Sequence, residues 1–392
     1  MNIKSLLLGS AAALVAVTGA RAADAVVVAE PEPVEYVRVC DVYGAGFYYI
    51  PGTETCLKVG GYIRYDIGVG ALGHQDVDDR NSEDDDNDLN DTFYKKARFA
   101  IRFDARTETE LGTLRGYGAI KFDRTTSDVG GVVYTSTSQD LDHAYIELGG
   151  FRIGKTDSLF DTFTGSAGDV INDGIVPYAP GGTHQISYTF TGGNGFTAMV
   201  GLEEGNSGDV YVDADGDEHK ALFTLDSYIP HVLAGVGYTA GWGGVSFVGA
   251  YDSVWEEFAV KARVDVKATE TISAFLMAGY KSSEDTDVLD ADGNLVSFAG
   301  PNNYGPWGGD WAIWGGLSAK VAPKATVNVQ LSYDDYENFG AVANVAYELV
   351  PGFVITPEVV YQDAGHFPNE VDDADGDDSG EWGGFLRFQR NF

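Results

Sequence analysis

The sequence predicts an all-β fold, a transmembrane antiparallel β-barrel of sixteen strands with long outer loops, short periplasmic turns and the third loop folded into the pore. Three observations carry this expectation. Apolar and polar side chains alternate with a period of two along one segment after another, the spacing of a strand that meets different surroundings on its two faces. The links between segments alternate between long polar stretches and tight turns rich in Gly and Pro. Ahead of them stands an export leader.

The leader reads "MNIKSLLLGSAAALVAVTGARAADA". Lys4 supplies a basic start, residues 6 to 17 an apolar stretch, and Ala20-Arg21-Ala22 a small-x-small cleavage site, so residues 1–22 are expected to be a signal peptide. The apolar stretch is too short for a membrane-spanning helix, which needs about 20 such residues. Residues 23–56 then form an N-terminal periplasmic segment. Its two cysteines, Cys40 and Cys56, flank a loop containing Gly and Pro. In an exported chain that arrangement reads as a disulfide, which would stabilise by about 3 kcal/mol on the chain-entropy model; two free buried thiols are the alternative.

Residues 57–392 form the barrel. In "ARFAIRFDA", Ala97, Phe99, Ile101 and Phe103 share one face, and Arg98, Arg102 and Asp104 the other. "FAVKARVDVKA" repeats the design, with Phe258, Val260, Ala262, Val264 and Val266 set against Lys261, Arg263, Asp265 and Lys267. Strands are expected at 57–68, 93–105, 112–124, 140–149, 151–156, 183–191, 195–203 and 229–239. The series continues at 243–252, 257–267, 271–281, 311–321, 325–333, 340–349, 353–361 and 382–392.

Long links fall at 69–92, 125–139, 157–182, 204–228, 282–310 and 362–381. Tight links include Gly149-Gly150, "TGGNG" (191–195), "AGWG" (240–243), "APK" (322–324) and Pro351-Gly352. Two outer links, near 253–256 and 334–339, are short. An all-β sandwich would also place charges on one face of each strand. The leader, the even strand number and the lack of a repeated blade motif favour the barrel.

Register supports the same reading. Slipping 97–104 by one residue would drive Arg98 and Arg102 into lipid at about 2 to 4 kcal/mol each near the midplane. The charged face therefore points to the lumen, and a sixteen-stranded lumen is too wide for side chains to fill. On the last strand Trp382, Leu386, Phe388 and Phe392 face lipid, while Arg387, Gln389 and Asn391 face the lumen. Arg390 falls at the inner rim, where its long side chain reaches headgroups.

The chain resembles the general porins of alphaproteobacteria, the brucellar and rhizobial type. The stretches that carry the resemblance include "VEYVRVCDVYGAGFYYIPGTETCLKVGGYIRYD", "DTFTGSAGDVINDG", "YIPHVLAGVGYTAGWGG", "NYGPWGGDWAIWGG" and "YELVPGFVITPE". It spans almost the entire chain and fails mainly in the acidic outer loops. It implies a homotrimer in the Gram-negative outer membrane, in contact with lipopolysaccharide, that lets ions and small hydrophilic solutes diffuse passively. Phe392 is then the C-terminal signal read by the outer-membrane assembly machinery. A substrate-specific sugar channel and a non-conducting structural barrel or adhesin are the alternatives. Most aromatics fall on the outward face, for example Phe99, Phe103, Phe122 and Phe258, which argues against an aromatic sugar track along the lumen.

The pore constriction is expected from charges. The third long link carries apolar Phe160, Phe163, Val170 and Ile171, which a loop in water has no reason to hold, so it folds inward. Asp161, Asp169 and Asp173 would then face Lys58, Arg64, Arg98, Arg102, Arg115 and Lys121 across the lumen. One such pair about 8 Å apart in water is worth only about 0.5 kcal/mol. Several of them sum to a transverse field of a few kT that favours polar solutes.

The formal charge of −35 argues against nucleic acid as a partner and, with loops such as "DVDDRNSEDDDNDLND", points to weak cation preference. No GxSxG, P-loop, HExxH or paired-histidine spacing appears, so neither an enzyme, a cofactor nor a metal centre is expected. Three loops carry "DADGD" or "DADGN" (213–217, 290–294, 373–377), which share the Asp spacing and Gly of calcium loops but lack the remaining ligand positions.

Overall fold

A computed structural model describes residues 38–70, 78–79, 90–91, 93–128, 133–212, 218–289, 295–363 and 380–392. The leader and the three DADG loops lie outside these residues.

Sixteen strands form a closed ring in which each pairs antiparallel with the next. They are β1 (Cys56–Gly70), β2 (Tyr94–Thr109), β3 (Gly112–Asp128), β4 (Val133–Leu148), β5 (Phe151–Asp157), β6 (Gly182–Thr191), β7 (Phe196–Glu203) and β8 (His231–Ala240). The ring continues with β9 (Gly243–Asp252), β10 (Glu257–Lys267), β11 (Ile272–Lys281), β12 (Trp311–Ala322), β13 (Ala325–Asp334), β14 (Phe339–Val350), β15 (Phe353–Asp363) and β16 (Glu381–Asn391). Closure comes from β16 against β1, where Tyr65 meets Phe388 and Ile67 meets Leu386. Each expected strand is present, and the ring leaves no unpaired edge to aggregate.

The alternation has its expected outcome. On β10, Phe258, Val264 and Val266 are exposed outward at 48%, 41% and 42%, while the inward Ala259 and Lys261 are buried. Phe99, Phe103 and Phe122 are likewise exposed on the outer face. At one rim the turns are tight. Gly149 and Gly150 both take positive φ, 58° and 95°, as a two-residue hairpin turn requires.

Residues 125–139 differ from the expected loop. They lie largely in β3 and β4, which pair as far as Asp128 with Val133. Residues 125–126 and 135–139, all Thr, Ser or Gln, are polar on both faces and show no alternation, yet β-branched Thr suits an extended chain.

A two-residue strand, Tyr48–Tyr49, pairs with the start of β1. Beside it Cys40 and Cys56 form the disulfide, with Cα atoms 6.0 Å apart. Both cysteines and Phe47 make a small buried cluster at the rim of the tight turns, where Tyr43 Oη donates to Glu108 at 3.3 Å.

Candidate functional site

The link between β5 and β6 turns inward, as its apolar residues require. Ser158 starts a single helical turn, α1 (Leu159–Thr162), and its hydroxyl accepts from the Phe160 amide at 3.1 Å. Leu159 and Phe160 pack with Met199, Leu233, Val248, Met277 and Trp314 from the barrel wall, and Phe163 joins them. Further along, Val170 and Ile171 pack on Val342, Val360 and Phe385. The wall makes room with glycine. A Cβ at Gly201 would sit 2.1 Å from the Leu159 side chain, and one at Gly235 would sit 2.8 Å from the Phe163 ring.

Two buried carboxylates fasten the loop. Glu203 accepts from Ser158 Oγ at 2.8 Å, the Leu159 amide at 2.7 Å and Tyr304 Oη at 3.1 Å. Glu358 accepts from the amides of Ile171 and Asn172 at 2.5 and 2.9 Å, from Asn172 Nδ2 at 2.7 Å and from Asn344 Nδ2 at 2.9 Å. Lys261 Nζ donates to the Tyr178 carbonyl at 2.8 Å, and Trp314 Nε1 to that of Val176 at 2.9 Å. The loop thus runs along the inside of β7 to β15.

A second segment also turns inward. Tyr304 and Trp307, in the link before β12, are 0% and 1% exposed and belong to the same core. Their setting among Gly, Pro and Asn marks them in the sequence only as part of an outer loop.

In a ring of sixteen, β2 lies across from β10, so the loop faces β1 to β3 over the open lumen. There Arg98 forms two bonds to Asp123, at 2.7 and 2.6 Å. Arg115 bridges Asp104 at 3.0 Å and Glu147 at 2.8 Å, and Lys121 meets Asp142. These basic groups are therefore matched by carboxylates on the same wall. Arg64 and Arg102 are not. Their guanidinium carbons lie 4.7 and 5.3 Å from the Tyr62 ring centre, and Arg64 Nε donates to Gln389 at 2.8 Å. Neither has a carboxylate within ion-pair distance among the described residues. Lys58 sits elsewhere, donating to the Ala45 carbonyl at 3.3 Å beside the disulfide cluster.

The three acids of the loop also separate. Asp169 is exposed, whereas Asp161 and Asp173 are half-buried, and Asp173 accepts from Tyr178 Oη at 2.8 Å. Burial pushes the Asp161 carboxyl up to about 6; the nearby Lys261 ammonium opposes this, while Asp157 and Asp173 add to it. Burial raises Asp173 as well.

Asp161 is therefore ionised at neutral pH and gains its proton as the pH falls through about 6, which removes a negative charge from the root of the loop. The reversal potential across a salt gradient is expected to move toward the anion side between about pH 7 and about pH 5. Asp161→Asn is expected to flatten that profile near its acid end.

Residues 24–383 match the porin subfamily. The chain is 49% identical to porin Omp2a of Brucella melitensis and 48% identical to porin Omp2b of Brucella suis, each alignment covering 100% of both chains. Among solved structures, the outer-membrane channel DcaP of Acinetobacter baumannii shares the fold with a TM-score of 0.58 at 15% identity, over 88% of this chain and 99% of that one. A closed barrel with an apolar outer belt, a charged lumen and an inward third loop agrees with that match over nearly the full length. The chain belongs to the porin subfamily and is a multi-pass general diffusion channel of the Gram-negative outer membrane.

Proposed function

We propose that selection among solutes occurs where the inward loop faces Arg64 and Arg102, with Asp169 as the exposed acid of the loop. The unmatched pair of guanidiniums supports this reading, since Arg98, Arg115 and Lys121 on that wall each have a carboxylate partner in reach. Arg98, Arg115 and Lys121 then hold the wall charges in place, Lys58 belongs to the inner mouth, and Asp161 and Asp173 set the loop's charge from beneath. Passage is physical, with no bond made or broken. The net charge of −35 favours cations weakly, and the two arginines limit that preference.

The same reading takes residues 1–22 as a cleaved leader and 23–56 as a periplasmic segment. It takes the assembled form as a homotrimer bounded by lipopolysaccharide and inserted through the signal at Phe392.

Bilayer recording tests it. Large ohmic steps in groups of three are expected, with a reversal potential of cation sign. Arg64→Glu together with Arg102→Glu is expected to increase that cation preference, and the difference should shrink near 1 M salt, where the Debye length is about 3 Å. Small steps blocked by sugar would favour a substrate-specific channel, and no steps at all a structural barrel. A wild-type potential of anion sign would remove the cation preference.

A further inference from the structure

We propose that Asp142, His143 and Asp157 form a lumen site for a divalent transition cation of the zinc type, and that its occupancy lowers conductance. This rests on the channel reading for its effect but not for its binding.

A strand normally sends neighbouring residues to opposite faces. Here β4 bulges opposite Ala119 and Ile120, so that Ala119 pairs with His143 and Ile120 with Leu141, leaving Asp142 as the extra residue. Both Asp142 and His143 consequently reach lumen groups. Asp142 meets Lys121 Nζ, and His143 lies 5.7 Å from the inward Tyr117 ring, centre to centre. Bulges of this kind re-aim side chains beside functional sites. The third member, Asp157, ends β5 at the point where the inward loop departs.

One ligand atom from each of the three lies within 4.8 Å of the others, and all three residues are half-buried or nearly so. Tetrahedral zinc with bonds near 2.0 Å needs ligand atoms about 3.3 Å apart, a contraction that carboxylate rotation supplies.

The imidazole is already oriented for this. His143 Nδ1 lies 2.9 Å from Thr156 Oγ1, a hydroxyl on a residue only 5% exposed. With Nδ1–H donated to that oxygen, Nε2 carries the lone pair on the carboxylate side, 3.5 Å from Asp142 Oδ2. A partner on the far nitrogen is what metal-binding histidines characteristically have. Two carboxylates and a neutral imidazole match a dication in charge, and an imidazole selects zinc, nickel or copper over magnesium or calcium.

Lys121 now occupies Asp142 and would have to yield to the ion. That competition fixes the signature. With three protein ligands and an open coordination position facing the lumen, the ion exchanges readily and narrows the path beside the root of the loop.

The test uses the full-length protein. Calorimetry with zinc chloride on the metal-free protein reads binding, and bilayer recording under zinc titration reads its effect on current. Zinc is expected to bind and to reduce conductance, with equal magnesium doing neither. His143→Gln is expected to raise the zinc concentration for half effect by about tenfold or more. Lys121→Met is expected to lower it. Heat-modified migration on gels verifies that each variant is folded, and Asp157→Asn serves as a second ligand variant.

No heat of zinc binding in either the wild type or Lys121→Met overturns the proposal. So does an equal zinc response in wild type, His143→Gln and Asp157→Asn. Binding without any change in current overturns the effect on conductance, while an absence of channels altogether fails the channel reading and leaves the calorimetric result standing on its own.

Discussion

Glu358→Ala is expected to free the middle of the inward loop and to raise single-channel conductance, with added open-channel noise. The side chain is 3% exposed and accepts from two loop amides, one loop side chain and Asn344. Removing it leaves buried donors without an acceptor at about 1 to 3 kcal/mol each, so the seated loop loses on the order of 3 kcal/mol even if water reaches some of them. A loss of that size shifts the seated-to-released ratio by about a hundredfold. The loop remains tethered, because Glu203 holds its start and Lys261 and Trp314 hold its end. What moves is the stretch around Asp169, which lies between those anchors. Glu358→Gln keeps one acceptor oxygen and should fall between the two. Quiet channels of unchanged conductance in the alanine variant would show that the Glu358 carboxylate is not what seats the middle of the loop.

Much of this arrangement was legible because two solvents flank each strand. Where one face meets lipid and the other the lumen, the period of two is written plainly, as in Phe258 to Lys267 and in Ala97 to Asp104. Where both faces meet water the signal vanishes, which is why residues 135–139 read as loop although they pair in β4. The inward third loop was legible because Phe160, Phe163, Val170 and Ile171 have no reason to sit in water. Tyr304 and Trp307 obey the same logic but are hidden by neighbouring Gly, Pro and Asn, the residues of turns.

Charge was half legible. Parity alone placed Arg98, Arg102 and Arg115 in the lumen, but it could not say which carboxylates they meet. That depends on register between strands, which pairs Arg98 with Asp123 and Arg106 with Arg115. The expected bare basic wall is consequently a network of ion pairs with two unmatched arginines. The bulge at Asp142 breaks parity outright, since one extra residue turns both Asp142 and His143 to the same side.

Arg387→Leu is expected to weaken the barrel at its seam. β1 and β16 are 321 residues apart where Asp66 meets Arg387, and their pairing is the step that converts a sheet with two open edges into a ring. Arg387 Nε and Nη2 donate to the two Asp66 oxygens at 2.8 and 3.0 Å, and Asp66 is 2% exposed. Lys96, across from Asp66 on β2, is already engaged with Asp123 at 3.2 Å. Leucine at 387 therefore strands a buried carboxylate, at about 3 to 5 kcal/mol. The loss should appear as a lower midpoint in heat or urea unfolding, followed by the gel shift of the folded barrel. Adding Asp66→Asn removes the stranded charge and is expected to return part of the stability, a coupling that distinguishes an ion pair from mere packing. Arg390→Leu is the control on the same strand. That side chain is exposed and, among the described residues, bonds to the carbonyls of Pro351 and Asn391, so its loss should fall within about 0.5 kcal/mol. Equal losses at 387 and 390 would mean that the seam is held by its backbone ladder, down to the bonds between Gly61 and Phe392, and not by the pair inside it.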